Sequence, residues 1–179
     1  MDDFLLPRRW VYRLMLVFIS MVIVFVHLLP ISVGTGGWPA PDLVLAFGYA
    51  WVLRRPDYVP VFLFAAIMLM TDMLFLRPPG LWAALAVMGL EFLRSREPFQ
   101  RDLPFPVEWA MVAAVMTGLL VANRLIQAIF VVNQASLGLS VMQLIGTIVT
   151  YPLVVLISQS LLGVSKIAPG ELDSTGHRV

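Results

Sequence analysis

Four ionisable side chains, Asp42, Asp72, Arg77 and Arg124, stand at or inside apolar runs, and the amides of Asn123 and Gln127 flank Arg124. A charge in hydrocarbon is disfavoured by roughly 2.5–3.5 kcal/mol or more, so these groups must face protein, water or one another. Two arrangements meet that need. One is a polar cluster, Asp42 or Asp72 paired with Arg124, lining an outward-facing cavity or a partner's binding surface. The other is solvation at helix ends plus an internal salt bridge that holds a bundle together. Asp42 follows Pro41 and reads as a helix start, with proline in the first turn and an acid near the positive end of the helix dipole. Asp72 falls near the C-terminal end of its run, where negative charge is unfavourable, so it needs a cation. Arg77 is close in sequence, and Arg124 is the partner expected in space.

Other residue patterns point to packing. Glu91 and Arg94 are three apart and suit an ion pair across one helical turn. Gln143, Thr147, Thr150, Tyr151, Ser158 and Gln159 give the last apolar run a polar content that more often binds helices together than binds a ligand. His27 falls at an interfacial position, and Met68–Met73 reads as adaptable packing and not as a metal route. The chain has no cysteine, and its two histidines, His27 and His177, lack ligand spacing. Gly34-Thr35-Gly36-Gly37 is a flexible link between apolar runs, not a phosphate loop between strand and helix. No catalytic constellation, cofactor or metal site is expected. A near-neutral net charge of +1 gives no basic run for nucleic acid.

These residues must be positioned by membrane-embedded helices. Sixty per cent of the 179 residues are hydrophobic, and runs such as Leu14–Val26 and Val59–Met70 carry no ionisable group. Backbone in lipid must pair internally, so the runs are helices and the fold class is all-α. The expected architecture is a single transmembrane domain of six spans, at about 12–29, 41–53, 58–76, 81–93, 107–132 and 139–162, with a polar tail over 163–179. The first span is expected to be a retained anchor and not a cleaved signal. The second and fourth spans are short, and the second must borrow flanking residues, thin the membrane or be sheltered by neighbours. A polar stretch, Arg94–Pro106, with three arginines and three prolines, separates the fourth span from the fifth. Asn133–Gly138 is expected to form a turn, and Pro152 to kink the sixth span.

With six spans, Arg8, Arg9, Arg13, Arg54, Arg55, Arg94, Arg96, Arg101, Lys166 and Arg178 fall on one side, and only Arg77 lies in an opposite gap. The positive-inside rule then places both termini in the cytoplasm. Arg124, about 25 Å along the fifth span from Val107, joins Asp42, Asp72 and Arg77 toward the outer face.

Pro41-Asp42-Leu43, Arg54-Arg55-Pro56, the intramembrane Asp72, Arg77-Pro78-Pro79-Gly80-Leu81 and Glu91-Phe92-Leu93-Arg94-Ser95-Arg96 follow one another in order. This series resembles the bacterial rod shape-determining protein MreD over Pro41–Arg96, and the rest of the chain agrees in hydropathy. The resemblance implies a non-enzymatic component of the elongasome in the bacterial inner membrane, one that supports peptidoglycan synthesis and the regulation of cell shape. It implies association with the bitopic protein MreC and, through it, with MreB, RodZ, RodA and a penicillin-binding transpeptidase. It also implies a fold similar to the substrate-binding subunits of energy-coupling-factor transporters. Two other functions stay open: a vitamin-type transporter subunit using the outer polar cluster, and a lipid-acting enzyme using an aspartate as base.

Overall fold

A computed structural model describes residues 8–29, 39–100, 104–131, 136–160 and 162–164. The described residues form six α-helices: α1 (Arg8–Leu28), α2 (Leu43–Val52), α3 (Val61–Leu74), α4 (Leu81–Gln100), α5 (Phe105–Ile129) and α6 (Leu137–Ser160). A single 3₁₀ turn, Pro56–Tyr58, precedes α3. The Gly34–Gly37 link, residues 133–135 of the expected turn and positions 165–179 of the tail lie outside the described residues.

The short helix α2 is the centre of the bundle. Every residue from Val44 to Val52 is buried, as expected of a helix apolar on all sides. At 10 residues it rises about 15 Å, half the thickness of a bilayer core. Of the three expected ways to tolerate its length, shelter by neighbours is visible in this burial. α4 and α6 flank it most closely, α1 covers another side, and α3 packs chiefly on α4.

The surface carries the opposite signature from that of a water-soluble bundle. On α1, Leu16, Ser20 and Val24 turn inward at four-residue spacing, while Leu14, Phe18, Met21 and Phe25 are exposed. On α5 and α6, Val121, Leu125, Ile129, Ile145, Val149 and Leu153 are exposed as well. α1 (from Arg9), α5 and α6 are long and apolar enough to cross a membrane.

Contacts between side chains and backbone fix which helix ends meet. At one end Tyr12 stacks on Tyr58 at 4.3 Å, and Arg13 donates to the Asp57 carbonyl. Arg94 donates to the Val59 carbonyl at that same end. At the opposite end the His27 ring packs 4.6 Å from Phe75. The helices therefore run alternately up and down.

Helix boundaries shift by a few residues from those expected, and two of the shifts bear on the packing. α4 does not stop at Leu93 but continues to Gln100, because the charges beyond Leu93 have partners. Arg94 pairs with Glu91 at 3.2 Å and reaches Val59, and Glu97 is buried. α6 begins at Leu137, so Gly138 belongs to the helix and not to the turn. Pro152 lies inside α6, which stays continuous through it. Proline cannot donate to the carbonyl four residues back, here Ile148. The indole N–H of Trp109 on α5 takes that carbonyl at 2.9 Å, so the neighbouring helix supplies the missing donor.

Candidate functional site

Asp42 and Asp72 each hold a helix start. Asp42 is the N-cap of α2, and its Oδ1 accepts from the Leu45 N–H at 3.1 Å. Pro41 therefore lies before the cap and not within the first turn. Asp42 Oδ2 accepts from the Trp82 indole at 3.1 Å, and its own N–H donates to Thr147 Oγ1 at 2.9 Å. One side chain thus registers the start of α2 against α4, and the adjoining N–H registers it against α6.

Asp72 is fully buried. The expected cation is replaced by a second helix. Asp72 Oδ2 accepts from the N–H groups of Gly80 at 3.1 Å and Ala83 at 3.0 Å, at the N-terminus of α4. A carboxylate that is unfavourable at the end of its own helix is favourable at the start of the next. Asp72 therefore does not pair with Arg124 and does not face the cavity. Its Oδ1 has no hydrogen-bond partner among the described residues. The chain between them turns with Leu76 at φ 53° and Gly80 at φ 87°, and the Arg77 N–H closes on the Asp72 carbonyl at 3.0 Å.

The other candidates gather. An open cavity of about 280 Å³ is lined by Arg77, Asn123, Arg124 and Gln127, together with Trp82, Ser140 and Gln143. Arg124 donates to the Ser136 carbonyl and to Ser140 Oγ, tying α5 to the start of α6. Gln127 donates to Asn123 Oδ1 at 3.1 Å, one turn apart. Arg77 Nη1 lies 3.7 Å from Asp42 Oδ2, and its guanidinium rests near the rings of Phe75 and Trp82. Asp42 itself lines a smaller adjoining pocket of about 40 Å³ that shares Trp82, Leu120, Ser140 and Gln143 with the larger one. Five of the six predicted polar residues therefore meet at one end of the bundle, and Asp72 supports them from behind.

No protein-family model matches the chain, and neither a curated protein nor a solved structure is significantly similar to it.

The opposite end holds a network that the sequence reading did not single out. Arg54 and Glu108, each 1% exposed, form an ion pair at 2.9 Å. Tyr151 donates to the same Glu108 oxygen at 3.0 Å, and Arg54 also donates to the Ala50 carbonyl at 2.8 Å. One turn away, the Trp51 indole donates to Ser158 Oγ at 3.1 Å. These bonds join α2, α5 and α6 at their shared end. Arg54 reads in sequence as a marker of the cytoplasmic side. The overlooked signal was Glu108, an acid just inside an apolar run. The polar side chains of α6 act as expected of helix glue: Thr147 meets α2, Tyr151 meets α5 and Ser158 meets α2.

Proposed function

We propose that this chain is a six-span, non-enzymatic component of the bacterial cell-wall elongation machinery, of the MreD kind, seated in the cytoplasmic membrane with both termini inside. The observation that carries the reading is where the ordered series falls. Asp42 caps α2, Arg54 closes α2 onto α5, and Asp72 caps α4 through Gly80 and Ala83. The residues behind the resemblance are thus the junctions of the bundle, which supports treating them as one motif and not as separate coincidences. The exposed apolar faces of α1, α5 and α6 supply lipid contact and room for the single span of a bitopic partner such as MreC. MreB, RodZ, RodA and a penicillin-binding transpeptidase would then be reached through that partner.

Affinity purification of the tagged chain in mild detergent tests this. Recovery of MreC with the elongation synthases is the expected result, and depletion in a rod-shaped host should round the cells. Growth as normal rods after depletion would contradict the reading.

The open cavity favours a second reading, a substrate-capturing subunit of a vitamin-type transporter. Co-purification of an ATPase pair, with thermal stabilisation by a vitamin, would favour it over the first.

A further inference from the structure

Among the described residues, the wall of the larger cavity carries two guanidinium groups and no carboxylate. Arg77 enters from the α3–α4 connection and Arg124 from α5. A guanidinium offers five N–H donors in a planar fork. Arg77 donates no side-chain hydrogen bond among the described residues, and its ion pair there is the 3.7 Å approach to Asp42. That Asp42 oxygen is already engaged by the Trp82 indole. Most of the donor capacity of Arg77 is therefore still open to the cavity. Asn123, Gln127 and Gln143 bring amides to the same space, and Ser140 brings a hydroxyl. Such a set matches a multi-oxygen anion, and forked guanidinium geometry suits phosphate best.

The remaining lining, including Leu76, Leu81 and Leu120, is apolar. Beyond it, Leu125 and Ile129 are exposed on α5. The volume lies just under the lower end of the roughly 300–1,000 Å³ typical of ligand pockets, enough for a headgroup with any chain left outside. We propose that this cavity binds a phosphate-type anion between Arg77 and Arg124, with a lipid headgroup or a free phosphate compound as its source. The inference goes beyond both functional readings and does not depend on either. Its failure would leave the recovery of protein partners untouched.

The test uses the full chain in a neutral detergent, with two probes. One is inorganic pyrophosphate, followed by thermal stabilisation. The other is phosphatidylglycerol in mixed micelles, followed by lipid retained in native mass spectrometry. Saturable binding is expected in at least one arm, and the arm that responds names the source. Arg77→Gln should weaken it about tenfold or more. Asn123→Asp should do the same by adding a negative charge to the wall. It keeps the acceptor for Gln127, so the helix surface stays intact. Circular dichroism and gel filtration confirm that both variants fold. Binding in neither arm, or binding unchanged in both folded variants, overturns the proposal.

Discussion

Glu108 is one carboxylate serving three helices, and its partners make it sensitive to small changes. It faces Arg54, just beyond the end of α2, and accepts from Tyr151 of α6, all three fully buried. Removing one member of a buried ion pair strands the other charge, at a cost of about 3–5 kcal/mol. Arg54→Ala and Glu108→Ala should each lower unfolding free energy in mixed micelles by about that much. Replacing both by leucine should recover most of the loss, because apolar pairs of similar volume often match a buried ion pair. Near-neutral single variants would mean that Arg54 is solvated and not paired. At this scale the sequence was half legible. Pro41-Asp42 announced a helix start, though not the cap itself, and Glu91 with Arg94 announced their pair through their spacing. Asp72 was recognised as needing a positive partner, but the partner is a pair of backbone N–H groups, which no residue type advertises. Glu108 lay at the very start of the expected fifth span, next to the polar Arg94–Pro106 stretch, where an acid reads as a solvated helix end.

Helix contacts rest on two compensations. Pro152 frees the Ile148 carbonyl, and Trp109 donates to it. Trp109→Phe should cost about 1–3 kcal/mol, the range for a hydrogen-bonding group left without its partner. In a Pro152→Ala background a backbone N–H returns, so the same change should cost clearly less, and a double-mutant cycle measures the difference. Equal costs in both backgrounds would separate Trp109 from the proline. Gly89 supplies the second case. A Cβ there would lie 2.2 Å from the Tyr49 hydroxyl, which donates to the Ala86 carbonyl. Gly89→Ala should force Tyr49 from its place and lower thermal stability, by about 1–3 kcal/mol as for other overpacked sites. Tyr49→Phe, by removing the clashing oxygen, should relieve part of that loss. No relief would show that the backbones of α2 and α4 have moved apart instead. The all-helical class and the order of the described helices were legible because long apolar runs separated by Pro, Gly and Arg leave few alternatives. The extension of α4 to Gln100 was not, because it depends on Arg94 finding the Val59 carbonyl and on Glu97 finding burial, both tertiary matters.

Among the described residues, the charged side chains sort toward the two ends of the bundle and apolar side chains cover the flanks. The Arg54–Glu108 pair and the Arg13 and Arg94 contacts mark one end, and the Arg77–Arg124 cavity marks the other. The same sorting was visible in the alternation of arginine along the chain. The central place of α2 was not, since nothing in a 10-residue apolar segment says which neighbours will enclose it. Six crossings with both termini inside is the claim on which the cell-wall reading and the outer position of the cavity depend. The chain has no cysteine, so single cysteines at exposed sites report the side of the membrane without a background. Asp57→Cys and Pro104→Cys should react with an impermeant maleimide only after the cells are permeabilised, and Pro79→Cys and Ser136→Cys already in intact cells. Labelling of Asp57→Cys and Pro79→Cys from the same side would contradict the six-span arrangement.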